Sequence, residues 1–251
     1  MDEQQVYYGD WKGRIIGNKA REHLVLGETR KLRQEDFFLE VGCSHGHFEK
    51  HAAAFSGNVF GAEMDSGKLK AAKRNCPGGN FAAANAEALP FKSNRFDFVL
   101  CTEVLEHVPD WKKALAELQR AGRKKILITI PLEKGVFWRI FSVFAPMGGR
   151  GHLHRLDGND IRREMGKDWR CVRSEKIATP SRKLNRLLNP AVPERLAIFA
   201  LLLFEKAEKH GKSSLEPELN PKYKKRLLEI DSGKHRAFSN IEELKNELKK
   251  A

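Results

Sequence analysis

The stretch FLEVGCSHGHF, residues 38–48, sets an acid, a thiol, a hydroxyl and two imidazoles directly behind a short apolar run. Three chemistries fit it. Gly42-Cys43-Ser44-His45-Gly46 matches G-x-S-x-G, the strand-to-helix turn that exposes a nucleophilic serine. Cys43, His45, His47 and His51 are metal-ligand types, and His47 and His51, four apart, would share a helix face. Or the glycines bend the backbone into a cradle for a nucleotide-like ligand.

The surroundings separate these readings. A serine hydrolase of this type needs an oxyanion loop upstream, and no His-Gly-Gly-like segment precedes Ser44. A zinc site needs three or four convergent ligands, and none of the four cysteines forms C-x-x-C, so no metal is expected. The cradle has support elsewhere. Glu63 closes the next apolar run 21 residues after Gly42, where a carboxylate can accept from both hydroxyls of a ribose. A dinucleotide fingerprint would need glycines at 44 and 47, where Ser44 and His47 stand. A nucleoside without pyrophosphate is the better guest.

These residues need a scaffold, and the pattern supplies one. Strand-like runs DFFLEV (36–41), NVFGAE (58–63), NFAAA (80–84), FDFVLC (96–101) and KKILITI (124–130) alternate with helical stretches at about 46–55, in SGKLKAAKRN and in DWKKALAELQRAG, with Gly122 as the stop. Strand and helix in alternation with short connections predict a parallel sheet between helices. Ile15 to Arg33 also reads as helical, placing a helical cap over 1–36. Further on, WRCVRSEKIAT (169–179) and LAIFALLLFEK (196–206) predict an antiparallel pair that closes the sheet. After 206 the chain turns rich in lysine and glutamate, and a capping box at Ser239-Asn240-Ile241-Glu242 opens a last helix, so 207–251 reads as a charged helical extension.

Composition sets wider bounds. The 251 residues carry a net charge of +13, and segment 139–186 holds twelve Lys/Arg against five Asp/Glu. That surplus favours anionic partners but says nothing about fold. The polar start and scattered cysteines give a reduced, cytoplasmic protein as the expectation. The longest apolar run, Leu196 to Phe204, is nine residues, against the about 20 that a membrane-spanning helix needs.

Taken in order, the motifs resemble the class I S-adenosylmethionine-dependent methyltransferases, in particular the type 11 pattern. FLEVGCSHGHF resembles the first motif, VFGAEMD the second, ANAEALPF the stretch after the third strand, FDFVLCTEVLEHVPD the fourth-strand motif and KKILITIP the fifth strand. The likeness covers 37–131. It implies a Rossmann-like α/β fold: a seven-stranded, mostly parallel sheet in the order 3-2-1-4-5-7-6, its last strand antiparallel, with helices on both faces. The catalytic domain would run over 37–206, with 132–168 as an acceptor-side insertion or lid. Two departures stand out: Ser44 replaces the middle glycine, and Asn85 stands where aspartate is usual.

The resemblance implies that S-adenosyl-L-methionine is the cofactor. Its methionine part would lie near Glu40, Gly42, Ser44, Gly46 and the Cys101–Glu103 turn. Its ribose would lie on Glu63, and its adenine between Met64 and the Asn85–Ala86 edge. For a hydroxyl acceptor the candidate bases are His107, His152 and His154. The segment 132–158 mixes large apolar groups with arginines, which suits a small hydrophobic or anionic acceptor, lipid-like at one extreme, and contact with a membrane surface. RNA is the alternative acceptor, through stacking and charge. CTEV in place of an Asn/Asp-Pro-Pro-aromatic motif disfavours exocyclic amines. A non-catalytic module that only binds the cofactor is the third reading.

Overall fold

The computed structural model describes residues 14–134, 152–178, 193 and 196–207, with side chains from Lys19 onward. Residues 1–13, residues 135–151 of the expected lid and the charged extension beyond Ala207 lie outside the described residues, as does the capping box at 239–242.

In chain order the elements are α1 (Arg14–Thr29), β1 (Phe37–Val41), α2 (His47–Ala52), β2 (Asn58–Glu63), α3 (Ser66–Asn75), β3 (Asn80–Ala83), β4 (Phe96–Thr102), α4 (Trp111–Ala121), β5 (Gly122–Pro131), α5 (Gly158–Glu164), β6 (Trp169–Ile177) and β7 (Phe199–Lys206). Seven strands form one sheet in the order β3-β2-β1-β4-β5-β7-β6. β1 to β5 run parallel, and β7 is antiparallel to both β5 and β6. This is the expected topology.

Period-two alternation along the strands explains the layers. Leu39, Val41, Val99, Cys101, Ile126 and Ile128 point to one face, where Ala114, Leu115 and Leu118 of α4 cover them. Phe38, Phe98, Leu100 and Leu127 point to the other, under Leu24 and Val25 of α1 and Phe48 of α2. The central strands are buried on both faces, and that is why they read as unbroken apolar runs. Caps set the helix starts: the side chains of Asp65, Asp110 and Asp157 accept backbone N–H groups at α3, α4 and α5.

Gly122 stops α4 as expected: it is the C-cap, already extended at φ −74° and ψ 138°, and β5 starts there without a loop. One local expectation changes. The helix after the first motif is shorter than 46–55 and ends at Ala52, because Ala53 to Ser56 close it with turn bonds to His51, Ala52 and Glu49.

The N-terminal ends of the strands are pinned by one buried acid. Asp97, 4% exposed, accepts from the Phe37 N–H at 2.9 Å and from Arg123 Nη2 at 2.7 Å, and Lys124 Nζ lies 2.8 Å away. Removing the carboxylate strands a backbone donor and a guanidinium together. Asp97→Ala is expected to lower the unfolding free energy by about 2–3 kcal/mol, measured by urea denaturation, with Asp97→Asn losing less.

Candidate functional site

The candidate site lies at the carboxyl ends of β1, β2 and β4. There the strand order reverses between β1 and β4, leaving a crevice for a ligand. Its floor is the turn after β1. The N–H groups of Gly42 and Cys43 both donate to the Ala62 carbonyl, at 2.8 and 3.1 Å, so the chain leaves β1 stitched to β2. Gly42 has φ 80°, and a Cβ there would sit 2.3 Å from Val104 Cγ2. Gly46 has φ 77°, and a Cβ would meet the Ala72 backbone of α3 at 2.9 Å. Both glycines are therefore demanded by conformation and by contact.

Ser44 shares the left-handed conformation at φ 45°. A non-glycine residue there carries a strain of roughly 1–2 kcal/mol. A bond offsets it: the Ser44 N–H donates to Glu63 Oε2 at 3.0 Å. Glu63 Oε1 also accepts from the N–H groups of Met64 and Asp65, at 2.8 and 3.0 Å. Glu63 thus folds over the turn rather than away from it. Three backbone donors occupy a carboxylate with about four acceptor sites, leaving little capacity without rearrangement.

Beneath the turn lies a second pair of acids. Glu40 accepts from Thr102 Oγ1 at 3.2 Å, and Glu49 of α2 is fully buried beside it. No described donor reaches Glu40 Oε2 or either oxygen of Glu49. The two carboxyls must then hold a proton between them. Burial raises Glu40 to about 7, and burial followed by Glu40 itself keeps Glu49 well above the usual carboxylate range.

Met64, expected beside adenine, is 39% exposed just past the end of β2. Ala86 is buried, and Asn85 Oδ1 accepts the Glu87 N–H at 2.9 Å, which closes its own turn and leaves one lone pair for a ligand. Cys101 faces the core, and its thiol is pushed well up by burial, so it can offer only backbone. The glycine cradle, the exposed Met64 and the carboxylates fit a cationic nucleoside.

Glu103, φ 54°, is a second strained residue at the rim. Its Oε1 accepts from Thr129 Oγ1 at 3.0 Å and pairs with Arg21 Nη1 at 3.1 Å. Arg21 comes from α1 and lies 5.2 Å over the Phe199 ring. Sequence reasoning missed it, and a lone arginine in a helix gives no signal of such a contact.

Beyond β4 the chain turns through Glu106 and His107. The Leu153 and His154 N–H groups donate to the Glu106 carbonyl at 2.7 and 3.2 Å and hold the segment leading into α5 against this turn. His107 and His152 stack edge to face, ring centroids 4.5 Å apart. His152 Nδ1 lies 2.6 Å from Glu133 Oε1. Glu106 is 1% exposed, and burial, then Glu103, push its carboxyl up to about 9. His154 is placed differently: Nε2 lies 3.1 and 3.0 Å from the Val108 and Pro109 carbonyls, so its N–H serves to hold the loop.

His47 and His51 are not on an exposed helix face. His47 Nε2 lies 2.7 Å from Glu22 Oε1 and His51 Nδ1 2.9 Å from Thr29 Oγ1, so both fasten α2 to α1. Cys43 is buried with its thiol raised by burial, which removes it from any ligand set with them.

A family model described as methyltransferase domain matches residues 39–128. An uncharacterized protein of Methanocaldococcus jannaschii is 30% identical over 159 residues, 57% of this chain and 68% of that protein. The ubiquinone biosynthesis O-methyltransferase of Pseudoalteromonas translucida is 34% identical over 130 residues; the match covers 49% of this chain and 55% of the relative, so it spans about half of each. Among solved structures, the magnesium protoporphyrin IX methyltransferase of Synechocystis with bound SAH aligns at TM-score 0.60 and 16% identity, over 82% of this chain and 94% of that one, a likeness of fold.

The buried acid pair predicts a pH dependence. Glu40's folded pKa is raised, so its contribution to stability is complete below its unfolded value and is lost as pH rises through about 7. Thermal unfolding followed from about pH 4.5 to 8 should show the melting temperature falling toward the upper end. Glu49→Gln, which removes the coupled acid, should flatten that fall.

Proposed function

This chain belongs to the class I S-adenosylmethionine-dependent methyltransferases, and we propose that it methylates a hydroxyl group on a small, hydrophobic acceptor. The observation that carries this reading is the gathering of Glu106, His107, His152 and Glu133 just past β4, beside the crevice. The two imidazoles there, that of His152 held by Glu133, suit an acceptor that must lose a proton as it is methylated. The relative named for O-methylation in ubiquinone biosynthesis supports the same class of acceptor, a hydroxylated ring with an apolar body.

The bound cofactor supplies a methyl group on a sulfonium, whose departure as a neutral thioether needs no acid. The rest falls to side chains. Glu63 grips the ribose, exchanging one or more of its backbone donors for hydroxyls. Glu40 and the carbonyls of the Cys101–Glu103 turn face the donor's ammonium group. Arg21, paired with Glu103 through Nη1 and with no described partner at Nε, would take its carboxylate. Met64 covers the adenine, with Asn85 and Ala86 at its edge. His107 and His152 would line the acceptor's side and would help to align its oxygen for methyl transfer. Such alignment can supply on the order of 7–11 kcal/mol.

Two measurements test this. In calorimetry, Glu63→Ala and Glu63→Gln should weaken S-adenosylmethionine binding at least tenfold while circular dichroism stays unchanged; undiminished affinity in both removes the ribose role. With methyl-labelled cofactor and a cell extract, label should enter the organic-soluble small-molecule fraction. Label confined to RNA or protein overturns the choice of acceptor.

A further inference from the structure

We propose that Glu106, His107 and His152 bind one divalent transition-metal ion of the zinc type. One ligand atom from each residue, a carboxylate oxygen and two imidazole nitrogens, lies within 4.8 Å of the others. Two ligands bound tetrahedrally at about 2.1 Å stand about 3.4 Å apart, so closure onto an ion needs shifts of about 1 Å.

Glu106 is the independent sign. It is 1% exposed, and neither carboxylate oxygen has a hydrogen-bond partner among the described residues. Buried acids in folded proteins are paired, hydrogen-bonded or bound to metal. Nearby charge does not provide the pairing: Glu103 and Glu133 are acids, and Arg21 is engaged on Glu103. A dication would satisfy Glu106 and balance this acidic surround.

His152 also shows the outer support that metal-bound imidazoles have. Its Nδ1 is held by the buried Glu133 at 2.6 Å, which leaves Nε2 as the donor atom and fixes the ring. The backbone bonds from Leu153 and His154 to the Glu106 carbonyl bring this ligand to the other two. Two imidazoles and one carboxylate select zinc-like ions over magnesium or calcium, which favour all-oxygen sets. Three protein ligands also leave a coordination position open.

The open position suggests a catalytic part, which rests on the hydroxyl-methylation reading. With the imidazoles taken up as ligands, an acceptor hydroxyl bound there would release its proton to water rather than to them. Its oxygen then forms the bond to the methyl carbon as the carbon–sulfur bond breaks, and that bonding pair stays on the sulfur.

The test is calorimetric titration of zinc into the chelator-treated full chain, without S-adenosylmethionine or acceptor, with bound metal counted by elemental analysis. The expected result is one ion per chain, bound at least tenfold more weakly by Glu106→Gln and by His107→Ala, and about 10–100-fold more weakly by Glu133→Gln. His107 is exposed, so its replacement leaves the fold intact even if a change at Glu106 does not. Absence of stoichiometric zinc, or unaltered affinity in His107→Ala, overturns the site. A chain that takes no zinc yet binds S-adenosylmethionine overturns it and leaves the methyltransferase assignment untouched.

Discussion

One carboxylate holds the site's architecture together. Glu63 ends β2 and receives the backbone N–H of Ser44 from the turn after β1, together with those of Met64 and Asp65 from its own turn. Through it, the glycine-dependent turn after β1 and the turn after β2 become one edge. The bond also accounts for a serine at a position whose φ favours glycine: a charge-assisted hydrogen bond offsets the strain of the left-handed conformation. The side chain expected to bind ribose thus also shapes the wall against which ribose would lie. Binding and preorganisation are one interaction, and a ligand hydroxyl must compete with a backbone donor.

A similar economy appears one layer down. Glu40 and Glu49 place two acids in the core beneath the turn. Low dielectric keeps them from both ionising, and the proton they share lets the pair exist without a cation. An approaching ammonium group alters that balance, because it stabilises a charged Glu40. On the proposed reading, an ammonium facing Glu40 would shift the shared proton toward Glu49, so the buried pair would respond to the donor's charge.

How much of this was legible beforehand follows from the range of each interaction. The five parallel strands announce themselves as apolar runs because both their faces are buried. The cradle was readable because Gly42 and Gly46 meet local needs for positive φ and close approach. Glu63 was found from strand-end spacing. What sequence could not show were contacts made by folding distant segments together. Arg21 reaches Glu103 from a helix whose local pattern requires only an apolar stripe. His47 and His51 have metal-like spacing but are consumed by Glu22 and Thr29 on α1. Glu106 and His107 meet His152 only after the chain has left β5 and returned, so no spacing rule flags them as a set.

The electrostatics of the site run against those of the chain. The protein carries +13 overall, yet Glu63, Glu103 and Glu133 lie along this edge, with Glu40 and Glu106 buried under it and held toward their neutral forms. Arg21, the described cation among them, is already matched by Glu103. A sulfonium and an ammonium are welcome in such a field; a string of phosphates is repelled at close range, whatever the basic surface attracts from afar. The net charge therefore describes the outside of the molecule, and the acceptor must satisfy the inside. An uncharged hydroxyl on an apolar body meets that condition, because it brings no anion to the edge until the step in which its proton leaves.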